Sequence, residues 1–241
     1  MKKTITLSII TLFFIGLTNA QDWGKKKIKG NGNVTTETRN TGNYDGIKCA
    51  GAMDFILVAG KEGKITLEGE SNLLEFISTE VKDDNLIIKV IKGKNISSSK
   101  GKSIKITIPF EKISSISLAG SGDLTTNATI DTDKLSVSLA GSGDIDLDIK
   151  TNSVKGAIAG SGNLKLSGNT DNLEAKVAGS GDFHGFNLQS ENTEVAVAGS
   201  GNAEVHSNKK LKARVAGTGD IVYKGNAEVD KKVAGSGSIS N

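Results

Sequence analysis

Leu118-Ala-Gly-Ser-Gly-Asp-Leu124, Leu139-Ala-Gly-Ser-Gly-Asp-Ile145, Ile158-Ala-Gly-Ser-Gly-Asn-Leu164 and Val177-Ala-Gly-Ser-Gly-Asp-Phe183 are successive copies of one phrase. Val197-Ala-Gly-Ser-Gly-Asn-Ala203, Val215-Ala-Gly-Thr-Gly-Asp-Ile221 and Val233-Ala-Gly-Ser-Gly-Ser-Ile239 complete a set of seven. The alanines, Ala119, Ala140, Ala159, Ala178, Ala198, Ala216 and Ala234, are spaced by 21, 19, 19, 20, 18 and 18 residues. So steady a period marks a stacked repeat architecture.

Outward from each phrase the chain alternates. The residue before each alanine is aliphatic in all seven copies, from Leu118 to Val233. Five residues after it stand Leu124, Ile145, Leu164, Phe183, Ala203, Ile221 and Ile239. Polar residues such as Ser138, Lys176, Arg214, Asp146 and Lys165 fall between these columns. Alternation at period two is the pattern of half-buried strands, so each repeat holds two short strands about a Gly-Ser-Gly turn.

Two architectures fit. Gly-Ser-Gly could close antiparallel hairpins of a sandwich or barrel, or each repeat could be one coil of a solenoid. A hairpin needs only a suitable turn. A solenoid also sets each residue beside its equivalent in the next coil, which explains like residues down whole columns. We therefore read the chain as all-β: a parallel β-solenoid (β-helix) of coils of about 19 residues over 116–241. Glycine suits corners with positive φ or close backbone approach. A membrane barrel fits poorly, because its strands need about 9–11 residues and aromatic girdles, and aromatics are 4% of this chain.

The Asp/Asn closing each phrase forms the candidate site column: Asp123, Asp144, Asn163, Asp182, Asn202 and Asp220. One reading is a ladder facing calcium or a cationic ligand. The other, which we favour, is an Asx side chain bonding the backbone of its own turn. Like charges opposite each other on neighbouring strands are unfavourable, and Asn interrupts the column twice.

Met1–Ala20 has the layout of a secretory signal: Lys2 and Lys3, an apolar run Ile5–Leu17, and small residues before Gln21. Export to the periplasm, the outer-membrane surface or the exterior is expected. No other segment reads as membrane-spanning, so the mature chain is expected to be soluble. Removing the signal leaves 28 basic against 27 acidic residues, from 30 and 27 in the full chain. That balance gives no argument for nucleic acid. Cys49 stands alone, so no internal disulfide is available; it reads as a small buried residue.

Residues 21–33, rich in Lys and Gly, read as a flexible lead. Residues 34–115 read as a more irregular β region continuous with the solenoid. Its strand-like runs are Ile47–Cys49, Asp54–Val58, Lys64–Glu68, Asn85–Ile91 and Ile104–Pro109, with a short helix over Ser71–Thr79 capped by Ser71 and a mobile loop over Lys92–Ser103. Ala50-Gly-Ala-Met-Asp54 resembles a degenerate copy of the phrase, so coiling is expected to begin there.

The order Phe55-Ile-Leu-Val58, Leu67-Glu-Gly-Glu-Ser-Asn-Leu-Leu74, Thr79-Glu-Val81, Leu86-Ile-Ile88 and Ile106-Thr-Ile-Pro109, followed by serial Gly-Ser-Gly-Asp turns, resembles the putative auto-transporter adhesin, head GIN domain family of bacterial envelope proteins. The resemblance runs from about Tyr44 to the C-terminus. It implies a β-helix-like fold and an adhesin or binding role, and it carries no catalytic residues.

The residues offer little chemistry besides. His184 and His206 fall at different phases, with no metal-ligand spacing. The repeated Gly-Ser-Gly lacks the strand-to-helix context of a nucleophile elbow and the helix and Lys of a phosphate loop. No metal, cofactor or catalytic set is expected. The function read here is a non-catalytic exported binding module whose partner is a surface polysaccharide or a protein. The alternatives are a polysaccharide lyase or hydrolase, using outward charges such as Asp144, Asp146, Asp148, Lys165, Lys176 and Arg214, and a self-associating structural protein. Lys209, Lys210 and Lys212 read as a solvated loop, with anionic glycans or lipopolysaccharide as the alternative.

Overall fold

A computed structural model describes residues 27–241. The signal read at 1–20 and residues 21–26 of the lead lie outside these. The described chain is a parallel β-solenoid with an antiparallel N-terminal cap.

The columns read from the sequence are real neighbours. Leu118, Leu139, Ile158, Val177, Val197, Val215 and Val233 lie opposite one another in successive parallel rungs. Leu124, Ile145, Leu164, Phe183, Ala203, Ile221 and Ile239 do the same. The first column is buried until Val233, which is 40% exposed. Outward residues alternate with inward ones along each strand, so a single narrow aliphatic interior follows the axis.

Coiling does begin before the first full phrase. The strand Gly46–Gly51 pairs in parallel with Ser115–Gly120, matching Cys49 to Leu118 and Gly51 to Gly120. Cys49 is thus a member of the aliphatic column, and burial pushes its thiol well above its ordinary pKa. The next rung outward is built by Asn85–Val90 and Lys105–Phe110. The chain therefore lays one rung, adds a second on its N-terminal side, then crosses back to continue on the other side.

The cap departs from the sequence reading in three places. The helix covers only Ser71–Leu74, preceded by Glu70 with no side-chain cap bond. Ile77–Lys82 is instead a strand, paired antiparallel with Asn85–Val90 through a tight turn at Asp83 and Asp84, both at positive φ. β-branched alternation in Ile77-Ser-Thr-Glu-Val81 prevails over helix extension. Val34–Asn40, not anticipated, pairs antiparallel with Lys64–Glu70. Within the lead and the loop both expected to move, Ile28–Lys29 pairs with Ile96–Ser97.

Glu70 explains that last pairing. Its carboxylate is 1% exposed. It accepts hydrogen bonds from the Gly32 amide at 2.6 Å, the Ser99 amide at 2.8 Å and the Ser99 hydroxyl at 2.6 Å. These bonds, led by the Ser99 hydroxyl, hold its pKa below the ordinary carboxylate value. One buried anion thereby fastens two otherwise polar segments to the cap.

Candidate functional site

The Gly-Ser-Gly corner is built from backbone chemistry. The first glycine of each phrase takes a positive φ, for example +133° at Gly141 and +136° at Gly160. That conformation turns its carbonyl along the axis, where it accepts two amides of the next coil: Ser161 and Gly162 donate to Gly141 at 2.9 and 3.1 Å. The second glycine has no special φ. It is required because a Cβ on Gly162 would strike the Gly143 carbonyl of the coil before it. A Cβ on the first glycine would strike the preceding coil as well, Gly160 meeting the Gly141 carbonyl, so both glycines answer the close approach and the first also answers the positive φ.

The Asp/Asn column lies at this corner, on an exposed edge. Its side chains do not bond their own turns. Asp144 Oδ1 accepts the Asn163 amide and the Asn163 side-chain Nδ2, each at 2.9 Å. Asp182 Oδ1 accepts the same two groups of Asn202 at 2.7 and 3.0 Å. Asp123 accepts the Asp144 amide, Asn202 the Asp220 amide, and Asp220 the amide and hydroxyl of Ser238. Asp123, Asp144, Asp182, Asn202 and Asp220 each reach one coil onward, whereas Asn163 reaches back to Asp144. The column is a ladder across coils, and its Asn members supply a donor that a carboxylate lacks.

A second corner carries a ladder that the sequence reading missed. Thr151, Thr170, Ser190 and Ser207 are buried and in register. Thr151 donates to Thr170 at 3.0 Å, Ser190 to the His206 carbonyl at 2.6 Å and Ser207 to the Lys210 carbonyl at 2.8 Å. A satisfied hydroxyl here replaces an aliphatic residue where the backbone bends.

Two cavities flank this corner. One, about 480 Å³, includes Asp131, Asp133, Asp171 and Glu191 with Lys150 as its one basic residue. The other, about 570 Å³, is balanced in charge. Lys155 meets Glu174 at 3.1 Å, and Lys212 meets Glu194 at 2.7 Å. Lys176 and then Lys155 hold the Glu174 pKa below its ordinary value, and Glu174 raises that of Lys176. Arg214 lowers that of Asp230.

The outward charges considered for carbohydrate chemistry do not converge. Lys165 pairs with Asp146 at 2.8 Å, Lys176 with Glu174, Arg214 with Asp230, and Asp148 with the Thr129 hydroxyl. Lys209 pairs with Glu191 at 3.0 Å. His184 contacts Glu204 at 3.2 Å, beside a bulge that sets Phe186-Asn-Leu188 outside the register. Among the described residues no group of three or more His, Cys, Asp or Glu could hold a metal ion, and no helix is long and apolar enough to cross a membrane.

Stacked parallel coils, glycine corners and side-chain ladders define a repeat β-solenoid. The chain belongs to the family described as "Putative auto-transporter adhesin, head GIN domain", which it matches over residues 43–227. Among solved structures it is similar to a protein from Bacteroides fragilis called a putative adhesin, with 25% identity and a TM-score of 0.81, covering 89% of this chain and 99% of that one. It is also similar to a Parabacteroides distasonis protein called a putative lipid binding protein, with 26% identity, a TM-score of 0.74 and the same coverage. A second protein from that organism, called a putative adhesin, shares the fold at 24% identity and a TM-score of 0.72, again with 89% and 99% coverage. Comparison with curated proteins finds no match.

Proposed function

We propose that the chain is an exported, non-catalytic binding module of adhesin type, presenting its repeated surface to a glycan or protein at the cell envelope. The observation that carries this reading is the register itself. Outward positions recur rung after rung at about 4.8 Å, giving evenly spaced rows of polar and charged groups along one axis. Rows suit multivalent attachment to a polymer or a surface. A reaction centre needs unlike groups converging on one point. The family, the adhesin names of similar structures and the signal-like Met1–Ala20 support the reading and its exported location.

Self-association through the last rung is the less favoured reading. Lys231 occupies the inward column there, and its Nζ donates to the Ile239 carbonyl at 3.3 Å. An inward-column charge on an edge strand opposes edge-to-edge pairing. Biolayer interferometry of the mature chain against immobilised envelope polysaccharides and surface proteins, with a parallel reducing-end assay, tests the proposal. Binding without release of new chain ends is expected. Steady release would favour the lyase or hydrolase reading.

A further inference from the structure

The charge-balanced cavity beside the second corner is a trough rather than a pit. Its two walls are ridges of outward side chains in strict register. One runs from Ser153 through Asn172 and Asn192 to Glu228, the other from Lys155 to Asp230. The trough spans five rungs and encloses about 570 Å³. Leu173 and Leu211 form its floor, two residues of the buried column between the ridges.

We propose that this trough binds an extended, uncharged polysaccharide lying along the solenoid axis, at about one sugar per rung. The assignment rests on the adhesin reading above and names its ligand class. Three observations carry it.

The first is spacing. The rungs recur at about 4.8 Å, whereas an extended peptide advances about 3.3 Å per residue and repeats its side chains every second residue. A peptide therefore falls out of step with the rungs. A chain of β-linked pyranoses advances by close to one rung per sugar and stays in step. The second is charge. The walls carry three lysines and four carboxylates, and Arg214 joins Asp230 from outside the trough. Lys155 faces Glu174, Lys212 faces Glu194, and Lys210 lies directly opposite Glu228. A polyanion would meet carboxylates on three of the five rungs, and a polycation would meet lysines on the other two. The third is hydrogen bonding. The ridges mix acceptors with donors, including the side-chain amides of Asn172 and Asn192. A sugar hydroxyl both donates and accepts, so it can bond either kind of wall.

The test is calorimetric titration of the mature chain with neutral β-1,4-linked gluco- and manno-oligosaccharides of two to six units, with oligogalacturonate as the charged comparison. Affinity is expected to rise with each added sugar and to level off at about five, the number of rungs spanned. Asn192→Ala and, separately, Lys210→Ala should each weaken the longest neutral probe at least threefold at unchanged melting temperature. Lys150→Ala, in the acidic cavity, should leave it unchanged. Affinity independent of length, preference for the charged oligomer, or full affinity in both trough variants would overturn the assignment. Capture of surface proteins with no oligosaccharide binding would remove the trough assignment and leave the adhesin reading standing. Failure to bind either class would remove both.

Discussion

Phe183 offers the sharpest check on how neighbouring coils pack. Its ring is 1% exposed and belongs to the coil after Leu164. It reaches back to Gly156, whose missing side chain makes room for it. A Cβ on Gly156 would lie 3.3 Å from Phe183 Cε2 and 3.0 Å from Leu164 Cδ2. Phe183→Ala should cost about 3–5 kcal/mol, since a relaxed core rarely closes around a lost ring. For a chain of this size each kcal/mol is worth about 2–4 °C, so melting should fall by about 6–20 °C. Gly156→Ala alone gains roughly 0.5–1 kcal/mol in strand propensity but overpacks the ring at a cost of about 1–3 kcal/mol. In the Phe183→Ala background the ring contact is gone and the added methyl partly fills the void. The two substitutions should therefore couple favourably by about 1–2 kcal/mol. Guanidinium midpoints of the four proteins give the cycle. Amide exchange should locate the loss in the coils around 156–183, because solenoid stability is a sum of neighbouring interfaces. Additivity, or a Phe183→Ala cost below about 1 kcal/mol, would refute cross-coil packing of this ring.

Three further outcomes are expected. Gly162→Ala should destabilise by more than about 3 kcal/mol, in the range reserved for severe steric conflict, because its Cβ meets the Gly143 carbonyl. Gly63→Ala, at φ +104° with open space around it, should cost only the backbone strain of about 1–3 kcal/mol, and thermal melts of the two separate collision from strain. Asn163→Asp loses the Nδ2 bond to Asp144 and aligns four carboxylates in a row, with Asp123, Asp144 and Asp182, a loss of about 1–2 kcal/mol that added salt should partly restore. Glu70 has a depressed native pKa, so its contribution is present above the ordinary carboxylate range and fades as pH falls through the native value. Glu70→Gln should reduce that acid sensitivity and raise amide exchange at Gly32 and Ser99 at neutral pH, where the wild type should be protected.

The solenoid was legible because its columns repeat at nearly constant phase. Leu139, Ile158 and Val177 announce a stacked position without any knowledge of distance. The hydroxyl ladder of Thr151, Thr170, Ser190 and Ser207 was not legible. Its members drift in spacing from the phrase as coil length changes, notably where Phe186-Asn-Leu188 leaves the register. The Asp/Asn column was visible as a column, but its bonding was misjudged. Asx residues near glycine suggest a local turn, and sequence offers no hint that positive φ at the first glycine aims the next coil's amide at the side chain below. The N-terminal cap was partly hidden for a simpler reason. Its antiparallel strands join residues 24–36 apart in Val34–Asn40 and Lys64–Glu70, and nothing periodic links them. The trough depends on three-dimensional register and on pairing between charges that, taken singly, read as a solvated face.

Spin labels on outward positions of one column measure the stacking most directly. Ser117 is in register, through successive rungs, with Lys176, Ala196, Arg214 and Lys232. Electron–electron distances from Ser117→Cys to Cys at each of those four positions, in a Cys49→Ser background, should increase evenly. A rung spacing of about 4.8 Å gives separations of about 14, 19, 24 and 29 Å. Distances that failed to grow with rung number, as in a sandwich or barrel that folds back on itself, would contradict the solenoid and the repeated binding surface inferred from it.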